Sequence, residues 1–247
     1  MTTQTARIAL VTGANRGLGQ EVAERLAKAG LHVIVSGRNT QAIETVAAAI
    51  REQGGQADAL ELDTSDSASI QRAAQTVHSK FGRLDVLINN AGIMKDGTWV
   101  GNTSTTISSE ILRETFETNF FGVVALTQAL WPLLEKSGHA SVVNVSSIMG
   151  SNTIHAQTDG PLAQTKPFAY DASKAALNAF TTHLASVGVE HGIKVNSAHP
   201  GWVKTDLGSE YAPLSVQEGS RTIVDLALLE VNGFTGCFTH NGDVLPW

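Results

Sequence analysis

Residues 7–30 read RIALVTGANRGLGQEVAERLAKAG, and the change of period inside this stretch decides the fold. Residues 7–13 form a short apolar run that ends in Gly13, whereas residues 14–29 carry apolar side chains at helical spacing up to Gly30. Strand, glycine turn and helix follow one another within a single short segment. The same alternation continues outward. Apolar runs at 31–37, 57–63, 83–92, 139–147, 192–200 and 235–240 are separated by helical patterns at 40–55, 65–82, 110–136, Tyr170 to His191 and 216–230. Strands apolar on both faces and alternating with helices predict an α/β fold, a doubly wound parallel sheet covered by helices on each side. No repeat or linker divides the chain, so 1–247 is expected to be one domain.

The connections carry the first functional clue. Three long polar segments, 95–109, 150–169 and 206–215, each follow a strand. They should emerge at the carboxyl edge of the sheet, where doubly wound folds bind ligands. The glycine turn belongs to that edge too. Gly13, Gly17 and Gly19 allow a tight turn and close backbone approach, and the helix that follows offers free N–H groups and a positive dipole end to a pyrophosphate. Asn15, Arg16 and Leu18 lie in the same turn, making this Rossmann-type segment the candidate dinucleotide cradle. A carboxylate at the end of the second strand would bind ribose hydroxyls and repel a 2′-phosphate, but the chain has Gly37, Arg38 and Asn39 there. Arg38 and Arg16 can meet the phosphate as charge-assisted pairs, which predicts NADPH/NADP rather than NAD. Asp63 and Thr64 end the third strand, where they either bind an adenine amino group or cap a helix.

Tyr170 and Lys174 are four residues apart on a predicted helix and so share a face. A phenol with its ordinary pKa near 10 is a poor acid–base group at neutral pH, and a neighbouring cation is expected to lower it. The chain has only one other tyrosine, Tyr211.

TGANRGLG, NNAG at 89–92, Asn119 in ETNF, NVSS ending at Ser147, YDASK and PGWVKTD occur in the order of the short-chain dehydrogenase/reductase family, which the chain resembles along nearly its whole length. The C-terminal half resembles the carbonyl-reductase branch. The resemblance implies that Tyr170 donates a proton to a carbonyl oxygen while NADPH delivers hydride to its carbon. It implies that Lys174 lowers the tyrosine pKa and holds the nicotinamide ribose, and that Ser147, with Ser146 as the alternative, orients the substrate. Asn119 would hold a water linking Lys174 to solvent. Asn90, Ala91 and Gly92 would line the cofactor channel, and Pro200, Gly201, Val203 and Thr205 would position the nicotinamide amide. Ser147 and Tyr170 stand farther apart than is usual in the family, and the extra residues between them leave monomer, dimer or tetramer open while offering a wall for the substrate pocket. Met94, Trp99, Ile148, Met149, Phe168, Trp202, Leu207 and Tyr211 are the apolar pocket candidates and suit an aromatic or aliphatic carbonyl.

Composition bounds these readings. The formal net charge of -6 argues against a nucleic-acid surface. The single cysteine, Cys237, suits a reducing compartment, and the eight histidines show no metal-ligand spacing. No apolar stretch reaches the length of a membrane span, so a cytoplasmic protein with a small-molecule carbonyl substrate is expected. Two other readings remain open: an NAD-dependent alcohol dehydrogenase on the same fold, and a non-catalytic NADPH-binding sensor.

Overall fold

The computed structural model describes residues 6–97 and 102–247; Trp99 lies outside them. Chain order is β1 (Ile8–Val11), α1 (Gly17–Lys28), β2 (His32–Gly37), α2 (Thr40–Glu52), β3 (Gln56–Glu61), α3 (Ser67–Phe81) and β4 (Val86–Asn89). Then come α4 (Ser109–Phe116), α5 (Gly122–Glu135), β5 (Ala140–Val145), α6 (Asn152–His155), α7 (Phe168–Gly188), β6 (Ile193–Ala198), α8 (Val216–Ala227), β7 (Phe238–His240) and β8 (Asp243–Val244).

The strands form one sheet in the order β3-β2-β1-β4-β5-β6-β7-β8. Every neighbouring pair is parallel except β7 and β8. Residues of β1, β4, β5 and β6 are buried throughout, because helices cover both faces. Side chains alternate between two cores. Ala9 and Val11 join Val22 and Leu26 of α1, Ile43 of α2 and Ile223 of α8, while Ile8 and Leu10 join Ile70 of α3, Leu126 of α5 and Ala185 of α7. Each fully buried leucine among them contributes roughly 2 kcal/mol.

Strand order reverses between β1 and β4, and there the chain leaves the sheet in opposite directions and opens a crevice. The segments after β4, β5 and β6 all rise from this same edge.

Two local features differ from expectation. The helical stretch expected at 110–136 is broken by a π-helical turn, Glu117–Phe121, between α4 and α5. The extra residue of such a turn swings Asn119 inward until it is fully buried, and Gly122, the first residue after the turn, presses its bare Cα against β3's exit. A Cβ there would stand 1.9 Å from the Thr64 carbonyl oxygen. The second difference is β8, which makes the sheet mixed at its edge. Asn241 and Gly242, with φ of 49° and 90°, form the hairpin turn that joins β7 to β8.

Candidate active site

The glycine turn is built for close approach. Gly13 and Gly17 have φ of 63° and 56°, and a Cβ on Gly19 would lie 2.4 Å from the Gly13 carbonyl oxygen. Arg16 precedes α1 in an extended conformation and makes no side-chain cap, so the dipole end of α1 faces the crevice uncapped by its own turn. The exit of β4 braces this turn. Thr12 Oγ1 accepts the N–H groups of Asn90 and Ala91, each at 2.9 Å, and Asn90 Nδ2 donates to the Thr12 carbonyl at 2.8 Å.

Around this turn lies a cleft of about 1320 Å³. It is lined by Gly13, Asn15, Arg16, Gly17, Leu18 and Gly19, by Arg38, Asp63 and Thr64, and by Asn90, Ala91 and Gly92. Pro200, Gly201, Val203 and Thr205 close its other end. Asn39 is not part of the lining. Its Oδ1 accepts the Ala42 N–H at 3.0 Å and caps α2, a task its place one residue before the helix explains. Asp63 does line the cleft, but its carboxylate also accepts the N–H and hydroxyl of Ser65. Burial pushes its pKa up, and the Ser65 bonds together with the Arg38 charge more than reverse this, holding Asp63 below the usual carboxylate range. The cap of α3 is Asp66 instead. Arg16 pairs with Asp206 of the segment after β6, and both side chains are about 70% exposed. An ion pair in such contact with water is worth roughly 0.2–1 kcal/mol and is easily exchanged for another anion.

Tyr170 and Lys174 lie on the first turns of α7 and are both buried, at 7% and 4% exposure. The Lys174 ammonium donates to the Val145 carbonyl at 2.8 Å and stands 5.6 Å from the centroid of the Tyr170 ring. Ser147 hydrogen-bonds the phenol, whereas the Ser146 hydroxyl is buried with no partner. The expected depression of the tyrosine pKa is not what this geometry gives. Burial pushes the phenol up to about 12; the bond to Ser147 opposes the rise and the Asp171 carboxyl adds to it. The ammonium is aimed at a carbonyl rather than at the phenolic oxygen, so desolvation prevails. Burial also brings Lys174 down to about 8.

Asn119 is not in the cleft wall. Its Oδ1 accepts the Ile93 N–H at 2.8 Å, and its Nδ2 donates to the Ile93 carbonyl at 2.8 Å and to Ser173 Oγ at 3.0 Å. It is a bracket between the exit of β4 and α7. Gly92 lies beside it: a Cβ there would stand 3.5 Å from both Asn119 Oδ1 and Lys174 Nζ, so both atoms border the same backbone position.

Ile148, Met149, Trp202 and Leu207 line the cleft near Tyr170, and the extra residues of 150–169 supply Pro161, Leu162 and Thr165 as a further wall. Met94 packs in the same apolar cluster, while Phe168 and Tyr211 do not line the cleft, and Tyr211 is exposed. Two contributors carry no sequence motif. His199 lines the cleft and is driven down to about 3 by burial and by His240, so it is neutral; its Nδ1 accepts the Ile148 N–H at 3.3 Å and steadies the turn after Ser147. Asp96 reaches α7 from the loop after β4. Among the described residues no group of His, Cys, Asp and Glu is placed to hold a metal, and no helix is long and apolar enough to cross a membrane.

The family model described as short chain dehydrogenase matches residues 7–213. The (+)-neomenthol dehydrogenase of Arabidopsis thaliana is 32% identical, with 96% of this chain aligned to 97% of that one. The (-)-isopiperitenone reductase of Mentha piperita is also 32% identical, over 95% and 96% of the two chains. Among solved structures, the NADPH-bound carbonyl reductase from chicken fatty liver superposes with a TM-score of 0.85 at 29% identity, covering 99% of this chain and all of that one.

Proposed function

Because the chain belongs to the short chain dehydrogenase family of oxidoreductases, we propose that it is an NADPH-dependent reductase of apolar ketones, aldehydes or quinones, with Tyr170 as the proton donor. The observation that carries this reading is the convergence of the Tyr170 phenol, the Ser147 hydroxyl and the Lys174 ammonium at one end of a cleft whose other end is a glycine cradle.

The residues present fit the cofactor. Bare backbone at Gly13, Gly17 and Gly19 and the uncapped start of α1 suit a pyrophosphate. Arg38, and Arg16 once released from Asp206, suit a 2′-phosphate; Asp63 and Thr64 would face the adenine. Asn90, Ala91, Gly92, Pro200, Gly201, Val203 and Thr205 would line the nicotinamide end, with Lys174 on its ribose. When bound, NADPH supplies the hydride that reduces the carbonyl carbon.

The chain's own groups handle the proton. A phenol pushed up to about 12 is protonated at neutral pH, so Tyr170 holds the proton that the reductive direction consumes. Ser147 would share the carbonyl oxygen and orient it. Once Tyr170 has given up its proton, its buried oxygen is charged, and the Lys174 ammonium and Ser147 hydroxyl are the groups at hand to stabilise it. A water held by Lys174 Nζ and Asn119 Oδ1, which both border Gly92, would return the proton from solvent. Ile148, Met149, Leu162, Trp202 and Leu207 favour an apolar substrate over a charged acid.

The test is NADPH oxidation with cyclohexanone, acetophenone, benzaldehyde and menadione, repeated with NADH and with Arg38→Asp. The reading expects turnover with NADPH well above that with NADH, and a preference that Arg38→Asp weakens or reverses. Equal use of both cofactors by the two forms would refute the phosphate role of Arg38, and tight NADPH binding without turnover of any carbonyl would favour a sensor.

A further inference from the structure

Helix α7 begins with N–H groups that its own turn does not serve. Pro167, the residue before it, has no side chain that can cap, and the first N–H with an intrahelical partner is that of Asp171, bonded to the Pro167 carbonyl at 3.0 Å. The preceding three are held from the segment after β4. Asp96 Oδ1 accepts the Ala169 N–H at 2.9 Å, Asp96 Oδ2 accepts the Tyr170 N–H at 3.2 Å, and the Asn102 carbonyl accepts the Phe168 N–H at 3.2 Å. Asn102 Nδ2 in turn donates to the Asp96 carbonyl at 2.5 Å, tying the two supports together.

Asp96 is 1% exposed. A carboxylate so far from water needs compensation, and here it has two charge-assisted bonds and the positive end of a 21-residue helix. Three residues earlier the same segment is gripped by Asn119 at Ile93, and Asn119 also holds Ser173, whose hydroxyl donates to the Tyr170 carbonyl at 2.7 Å. Tyr170 thus has its N–H and its carbonyl both fixed by one closed circuit running Asn119, Ile93, Asp96, Tyr170 and Ser173. Ile93 and Lys95 face the cleft, but Asp96, the next residue, does not.

We propose that Asp96 is a positioning residue for Tyr170: by bonding the N–H of the tyrosine and of the residue before it, Asp96 sets where the first turn of α7 presents the phenol to the cleft. It touches neither substrate nor cofactor. The inference rests on Tyr170 being the proton donor, because only then does the placement of the phenol govern the rate.

The test compares Asp96→Ala, Asp96→Asn and Tyr170→Phe with the natural chain. Steady-state kinetics use acetophenone, benzaldehyde or menadione, whichever turns over fastest, alongside NADPH binding by fluorescence and the folded fraction by circular dichroism. Misplacing a reacting group by about 1 Å costs on the order of 100-fold, so Asp96→Ala should lose about that much kcat while its NADPH dissociation constant stays within about twofold. Asp96→Asn keeps the volume and one acceptor oxygen and should recover about tenfold of the loss. A positioning role is overturned if Asp96→Ala keeps the natural kcat while Tyr170→Phe is inactive. It is equally overturned if kcat falls only in proportion to NADPH binding or folded fraction, the mark of a plain structural cap. Should Asp96→Ala not fold, Asp96→Asn decides, and natural kcat in that variant overturns the proposal. Full turnover by Tyr170→Phe is a different failure: it removes the tyrosine reading beneath the proposal.

Discussion

Around the phenol, burial outweighs partnership in setting proton affinity. Tyr170 is pushed up to about 12 and Lys174 down to about 8, and in both cases desolvation is the largest cause. Asp171, next to the tyrosine, rises to about 8 through burial and the nearby Asp96 charge, with Lys166 opposing. Its Oδ1 is buried without a partner, and its Oδ2 lies 3.2 Å from His155 Nε2. His155 is held below its ordinary pKa chiefly by burial, despite the hydrogen bond its ring makes to the Met149 carbonyl, with Lys166 adding to the depression. It is therefore a neutral neighbour at pH 7. A carboxyl whose folded pKa lies above its unfolded value stabilises the fold at low pH. That contribution is lost as pH rises from about 4, the ordinary value, toward 8. Asp171→Asn removes the titration, so its Tm advantage over the natural chain should widen between pH 5 and pH 8 and level off above that. Parallel Tm curves over this range would show that Asp171 ionises normally in the fold.

At this scale the sequence discloses residues that act through local spacing and conceals those that act at a distance. Gly13, Gly17 and Gly19, and the pair Tyr170 and Lys174, are readable because turn and helix periods fix their neighbours. Asp96 is not: its bonds to α7 span 73 and 74 positions, and no local pattern marks a helix cap supplied from so far away. Asn39 shows the opposite error. It stands beside Arg38 and reads as cofactor-facing, yet a helix starting at the next residue claims its side chain.

Among the elements, the break between α4 and α5 matters most for the site. Apolar periodicity over 110–136 is the same whether or not one residue is looped into a π turn, so a continuous helix is the natural expectation. The turn is fixed by contacts instead: Asn119 inside on Ile93, and Gly122 against the Thr64 backbone. Gly122→Ala would put a methyl 1.9 Å from the Thr64 oxygen and force α5 away from the edge of the cleft. Overpacking of this kind costs about 1–3 kcal/mol, and chemical denaturation should register a loss in that range together with weaker NADPH binding. An unchanged unfolding midpoint would mean that α5 yields without cost. The β7–β8 hairpin, in contrast, carried a legible signal. Asn241–Gly242 is the dipeptide that favours the required positive φ, and it was masked by the shortness of the two-residue strand that follows.

For the whole molecule, the alternation of short apolar runs with helices was enough to give the doubly wound architecture, because a parallel sheet buries both faces and so gives strands that are mostly apolar rather than alternating apolar and polar. The same logic located the cleft, since every long polar segment follows a strand of that sheet. How those segments fold over the cleft was not legible. Pro161, Leu162 and Thr165 enter its wall through packing of the extra residues before α7, and Arg16 is engaged by Asp206, 190 positions on, through an exposed ion pair.

These features meet in one claim, that Tyr170 hands a proton to a carbonyl at the floor of an NADPH cleft. The most direct test is the rate of NADPH oxidation by Tyr170→Phe, with its NADPH affinity measured on the same preparation. The account predicts affinity within about twofold of the natural chain and kcat lower by at least the 10²–10⁴-fold typical of lost proton transfer. Turnover at the natural rate by a phenylalanine variant that binds NADPH would contradict it.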